Sequence, residues 1–304
     1  MRFEQLLHWN DGQFLQPHHF QYFQRQIMDY LSGGRAFSLP YPWGLVDFEI
    51  DGDALAGARV VVKRFSAIMK DGTAISMPGN CLLSPLDLGE ILDKNPAEIT
   101  VYAALPLWSE LQANLVENTT APENRRFIPH KQRARDENSG DNEITLITRL
   151  MNARLTTDFD DNKDMTLLPL ARLSVLSHDK TRRALEVNEN FFPPSITLGS
   201  GSPLRGLIEG LIADIRRCRD KAQDDLVSLN FKNEQLSGYN AYTVLRLKTL
   251  NVYEQRLSSL LGAGNVPPFD LYLELTSLLS ELMAYDPVNS VREIRRYDHD
   301  DSAP

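Results

Sequence analysis

Phe191-Phe192-Pro193-Pro194, followed by Gly199-Ser200-Gly201-Ser202-Pro203, divides the sequence into two halves whose apolar residues recur with different periods. The paired prolines end an extended region, because proline cannot donate to a strand ladder, and the glycines read as a hinge. Ser202 then stands where a helix N-cap is wanted and Pro203 at the first helical position, where its missing N–H costs nothing. After them Leu204, Leu207, Ile208, Leu211, Ile215, Cys218, Ala222, Leu226 and Leu229 recur at three and four, one stripe down a helix of about seven turns. A second helix is expected from Tyr239 to Leu261, with Ala241, Val244, Leu245, Val252, Leu257 and Leu260 on its apolar face and Gly262-Ala263-Gly264 as its stop. A third starts at Pro268 and carries Leu271, Leu275, Leu278, Leu279 and Leu282. Short connections make the three antiparallel, and so small a bundle leaves apolar surface that favours packing on copies of itself.

Before the divide the period is two. Trp43 to Ile50 reads as a strand closed by Asp51-Gly52-Asp53. Val60, Val62, Phe65, Ile68 and Met69 lead to Lys70-Asp71-Gly72-Thr73 and Ala74 to Met77, which predicts a hairpin with a type I′ turn. Ile99, Val101, Ala103 and Leu105 alternate between Asn95-Pro96 and Pro106. Residues 117 to 143 are polar and irregular, and 27 residues is long for a connection inside a domain, so a functional or mobile loop is expected there. Ile144, Leu146, Thr148 and Leu150 resume the alternation. Leu167, Ala171, Leu173 and Val175 follow an acidic turn at 158 to 164, and Leu185 and Val187 follow a turn at His178-Asp179-Lys180-Thr181. The expected class is therefore β plus α in two domains, a β-sandwich or small barrel followed by an antiparallel helical bundle.

With 304 residues and 42% apolar content the chain can bury a sizeable core. A net charge of −9 gives no global pull toward nucleic acid or anionic membrane. Met1 to His8 lacks the apolar stretch of a signal peptide, and no run approaches the roughly 18 apolar residues of a membrane span, so a cytoplasmic protein is expected. Cys81 and Cys218 are far apart, which argues against a disulfide scaffold or a thiolate zinc site.

Motifs that could carry chemistry fall short. His8, His18 and His19 lack the spacing and the fourth ligand of a zinc site. Asp158 to Asp164 opens like a calcium loop, but Lys163 stands where glycine is required and Pro169 where the bidentate Glu is required. Gly199-Ser200-Gly201 has Leu204 in place of the third glycine of a dinucleotide fingerprint. Arg125, Arg126, Lys131, Arg133 and Arg135 are offset by Asp136, Glu137, Asp141 and Glu143, too weak a balance for tracking phosphates and better suited to an acidic protein surface. No nucleophile, base and orienter can be assembled. The expectation is a protein that is not an enzyme and holds no cofactor or metal.

The opening stretch Trp9-Asn10-Asp11-Gly12-Gln13-Phe14-Leu15-Gln16-Pro17-His18-His19-Phe20-Gln21 gathers aromatics around an Asp-Gly turn and a proline. Trp9, Gly12, Phe14, Leu15, Pro17, His19 and Phe20 are the candidate anchor, fixing the chain end onto a core or a neighbouring subunit, and a short helix from Gln21 to Leu31 should stop at Ser32-Gly33-Gly34. This stretch resembles the amino-terminal signature of the TssK family of the bacterial type VI secretion baseplate, and the Pro193-Pro194 turn and Tyr297-Asp298-His299-Asp300 have counterparts there.

The resemblance implies a β "shoulder" over residues 1 to 195 and a helical "neck" over 196 to 296. The neck would trimerise through Leu204, Leu207, Ile208, Leu211, Ile215 and Cys218. Residues 297 to 304 would be a junction to a head domain that this sequence does not contain. It also implies a homotrimer docking onto the wedge proteins TssF and TssG, with the head reaching the TssJ/TssL/TssM membrane complex. The alternative reading is a trimeric glycan- or surface-binding module, because shoulder and neck also resemble receptor-binding proteins of tailed phages.

Overall fold

The structure is a computed structural model that describes residues 4–94, 96–116, 124–177, 184–199, 202–228, 238–285 and 294–300. The expected turn at 178 to 181, Gly201 of the hinge, Leu229 of the stripe and residues 301 to 304 lie outside them. In chain order the elements are α1 (Pro17–Ser38), β1 (Gly44–Ile50), α2 (Gly52–Leu55), β2 (Arg59–Val60), β3 (Val62–Ile68), β4 (Ala74–Met77), β5 (Leu86–Asp87) and α3 (Gly89–Leu92). Then come β6 (Glu98–Pro106), β7 (Phe127–Ala134), β8 (Ile144–Met151), β9 (Arg154–Thr157), β10 (Met165–Ser177), β11 (Ala184–Val187), α4 (Pro203–Ser228), α5 (Gly238–Gly262) and α6 (Pro268–Met283). The chain forms two compact units, Met1–Pro194 and Ser195–Pro304.

In the first unit a three-stranded sheet in the order β1-β3-β4 and a four-stranded sheet in the order β11-β10-β6-β9 are both antiparallel. Leu45, Phe65, Ala67 and Ile75 from one sheet and Ile99, Val101, Leu168, Leu170 and Leu173 from the other share a single core. Each fully buried leucine or isoleucine contributes about 1.5–3 kcal/mol, which is what fixes the register of both sheets.

The central strand β10 shows how. The register slips between Pro169 and Ala171, so Leu168 and Leu170 face the core before the bulge, and Leu173 after it. The uninterrupted alternation expected through Leu167 is thereby corrected. Pro169 has no N–H to give to the ladder, and a bulge is where an internal strand tolerates that.

Three further expectations change. The turn between β3 and β4 is not type I′, because among Met69 to Thr73 only Gly72 has a positive φ, +84°. Gly72 N–H donates to Met69 O and Met69 N–H to Thr73 O, the pattern of a type I turn closed by a glycine bulge. The helix after the opening stretch starts at Pro17 and runs through Gly33-Gly34 to Ser38. Two glycines inside a helix cost about 1 kcal/mol each, and Gly33 is one of the two buried residues of α1.

The third change lies within the expected loop 117 to 143. Of its described residues, Phe127 to Ala134 form strand β7, paired along its length with β8 from Phe127↔Met151 to Ala134↔Ile144. The sequence hid this strand because most of its side chains face solvent, leaving no apolar alternation to read. Strand β9 was likewise unforeseen.

In the second unit, Arg205 reaches Leu261 O while Arg216 and Arg219 reach Glu254, so α4 and α5 run antiparallel. Thr249 meets Glu281 and Arg256 meets Glu274, so α5 and α6 do too. The core is built from Ile208, Ile212 and Ile215 of α4, Leu250, Tyr253 and Leu257 of α5, and Leu271 and Leu278 of α6.

On α5 the buried set also includes Thr243, Thr249 and Glu254, whereas Val252 and Leu245 are exposed, so the expected apolar face is rotated. The polar members are satisfied: Glu254 takes Arg216 at 2.6 Å and Arg219 at 3.3 Å, and Thr249 bonds Glu281 and Tyr285. Tyr297 packs on Phe269 and Tyr272, and Tyr272 donates to Arg295 O, so Tyr297-Asp298-His299-Asp300 folds back onto the start of α6.

Candidate interaction surface

The opening segment folds back along α1. Gly12 takes φ +74° in the Asn10–Gln13 turn, and Pro17 begins the helix. Gln16 N–H donates to His19 Nδ1 at 3.1 Å, which satisfies a backbone donor just before the helix and gives His19 a capping role. Tyr22 and Gln26 both donate to Gln5 O, and the Trp9 ring lies 6.3 Å from His19 and 6.5 Å, edge-on, from Phe23.

The side of α1 turned to its own unit is small and polar. Gln26 and Gly33 are its buried residues, Arg35 donates to Gly72 O at 2.6 Å, and a Cβ on Gly72 would lie 2.0 Å from Ser32 Oγ. Phe20, Phe23, Ile27 and Leu31 form a stripe at helical spacing on the other side, and all four are exposed. Trp9, which meets Phe23 edge-on, and Leu15 and Phe14, the last 81% exposed, add to the exposed apolar residues at this end of the chain. An apolar stripe this exposed is unusual for a helix in contact with water alone. The anchor residues therefore lie outward and not in the core of their own unit.

Beside α1, facing Trp108–Leu115 and the β7–β8 ribbon, runs a groove of about 1260 Å³. Its floor alternates cations and rings. The Arg25 guanidinium lies 5.2 Å from the centre of Tyr22 and 5.1 Å from Trp108, Trp108 meets Phe127 edge-on at 6.1 Å, and Arg149 sits 4.3 Å over Phe127. Arg149 donates to Gln24 Oε1 at 2.9 Å, and its burial lowers its pKa.

Neither Arg25 nor Arg149 stood out in the sequence. The arginines that did are used internally. Arg126 is buried and bonds Asp71, Thr73 and Pro106 O, Arg125 donates to Ala113 O, and Arg133 and Arg135 both pair with Glu143.

The predicted neck residues divide between two roles. Ile208 and Ile215 are buried inside the bundle of their own chain, Leu204 and Leu211 pack at its margin, and Leu207 and Cys218 are exposed. Leu207 and Cys218 are eleven residues apart, which returns them to one face of a helix. Among the described residues no helix is long and apolar enough to cross a membrane.

Residues 19–304 match the family described as bacterial type VI secretion, EvfL, ImpJ, VasE. The chain belongs to this VasE (TssK) family. It is 23% identical over 299 residues to the type VI secretion system baseplate component TssK1 of Pseudomonas aeruginosa, covering 97% of this chain and spanning 65% of that relative. Its fold is similar to a chain of the baseplate complex from the type VI secretion system, with TM-score 0.86 and 24% identity over 99% of this chain and 94% of that one. A chain of the TssK-TssF-TssG baseplate subcomplex gives TM-score 0.83 and 23% identity, covering 98% and 94%. The β-plus-α order expected from the sequence is thus the fold these baseplate chains share.

Proposed function

We propose that this chain is a structural adaptor of the type VI secretion baseplate, not an enzyme, and that it works in the cytoplasm as a homotrimer docked onto TssF and TssG. The observation that carries the reading is its fold, similar along 98% of the chain to one in the TssK-TssF-TssG subcomplex. The outward apolar stripe of α1 supports it, since an adaptor needs surface to bury against partners. In this reading residues 1 to 195 are the shoulder, 196 to 296 the neck and 297 to 304 the junction. The anchor residues Trp9, Gly12, Phe14, Leu15, Pro17, His19 and Phe20 serve contacts between subunits, and the neck meets its copies through the exposed Leu207 and Cys218 face while Ile208 and Ile215 hold its own bundle. In this reading linkage to the TssJ/TssL/TssM membrane complex runs through a head domain.

Light scattering tests the trimer. The expected mass is about 104 kDa, three 34.5 kDa protomers, moving toward one protomer in Leu207→Asp. A wild-type mass of one protomer would refute the trimeric reading.

A further inference from the structure

The floor of the groove beside α1 holds two guanidiniums that, among the described residues, have no counter-charge. Among the described residues Arg25 makes no hydrogen bond or ion pair, and its Nε is buried without an acceptor. Among the described residues Arg149 has only the neutral Gln24 as hydrogen-bond partner. The carboxylates that line the groove, Glu4 and Glu110, pair with neither. A guanidinium placed over a ring still has its terminal N–H groups to offer a carboxylate, and a charge-assisted pair of that kind is stronger than a neutral hydrogen bond.

The ribbon wall adds a pattern. Ile147 opposes Lys131 and Arg149 opposes Pro129, so apolar and cationic side chains alternate along one face. Ile147 is 77% exposed. With Leu115 and Trp108 opposite, the groove offers apolar walls and a cationic floor.

We infer that this groove docks an extended, acidic segment of a partner protein, with carboxylates on Arg25 and Arg149 and alternating apolar side chains against Ile147, Pro129 and Leu115. An extended strand sends successive side chains to opposite sides, so a segment alternating acidic and apolar residues matches the wall. The choice of partner, TssF or TssG, rests on the adaptor reading. The chemistry of the groove does not.

The test uses the whole chain, with overlapping peptides tiled across TssF and TssG as probes, each also made with Asp and Glu replaced by Asn and Gln. Wild-type chain should bind one or more acidic peptides. Arg25→Ala and Arg149→Ala should each weaken binding about tenfold or more, as should the amide peptides. Binding should fade at about 1 M salt, where the screening length is about 3 Å. Ile147→Asp, at an exposed position, should weaken binding with its melting temperature unchanged, which separates docking from folding. Arg149→Lys, which keeps the charge and loses the fork, should fall between wild type and alanine.

Binding that ignores both arginines or the peptide carboxylates, or no bound peptide at all, overturns the inference. Co-elution of the same preparations with intact TssF and TssG keeps the two readings apart. If the Arg25→Ala/Arg149→Ala chain co-elutes as wild type does, the dock is refuted and the adaptor stands. If wild type fails to co-elute, the adaptor reading fails and the peptides alone decide the groove.

Discussion

Gly72→Ala should unseat α1 from its own sheet. The new Cβ would meet Ser32 Oγ at 2.0 Å and Ser32 Cβ at 2.9 Å, and the backbone there has φ +84°. Placing an L-residue in that left-handed region costs about 1–2 kcal/mol. The overpacking against α1 costs about 1–3 kcal/mol more, because Ser32 Cβ is fixed to the helix and cannot rotate away. A total of about 2–5 kcal/mol follows, read as a lowered urea midpoint at constant slope.

The companion Ser32→Gly removes the obstructing atoms at about 0.5 kcal/mol of helix propensity. In the double variant the clash portion should return and the φ portion remain, giving a coupling of about 1–3 kcal/mol between the two sites. Additive losses, or a Gly72→Ala chain as stable as wild type, would refute the close approach of α1 to the hairpin.

Asp71→Ala should cost about 3 kcal/mol in the same assay, because it leaves Arg126, only 6% exposed, without the carboxylate 2.7 Å away. Asp160 accepts from Thr157 N–H and from the Thr156 and Thr157 hydroxyls. Burial alone would raise its pKa, yet these donors and the charge of Arg154 hold it below the ordinary 3.8. With the folded value depressed, its contribution is present above pH 3.8 and is lost as pH falls through the lower folded value, so the melting difference between wild type and Asp160→Asn should narrow in acid. Burial pushes the Cys81 thiol up to about 11, whereas Cys218 is exposed. A thiol reagent should therefore reach Cys218 in the single-protomer Leu207→Asp variant, react with it more slowly in the assembled trimer whose contact face it shares, and reach Cys81 only after unfolding.

The elements that could be read from sequence are those whose period reports one buried side. Ser202-Pro203 starts α4, Gly262-Ala263-Gly264 ends α5, and Ile99, Val101 and Ala103 mark β6, because in each case local chemistry and tertiary packing agree. Reading failed where packing and pattern part company. β7 has no apolar alternation because water covers most of it, and β10 changes face at a bulge that only the pairing reveals. The expected stop at Ser32-Gly33-Gly34 took two glycines for a terminus when one of them, Gly33, is a buried contact.

The interaction surface was half legible. Trp9, Phe14 and Phe20 stand out by residue type, and all three are exposed. Arg25 and Arg149 are ordinary arginines of a helix and a strand until the fold brings each against a ring.

The adaptor reading is tested most directly by co-expressing this chain with TssF and TssG and measuring the molar mass of the peak that contains all three. The account predicts co-elution, with this chain present in multiples of three. A chain that elutes alone while TssF and TssG form their own complex would contradict it.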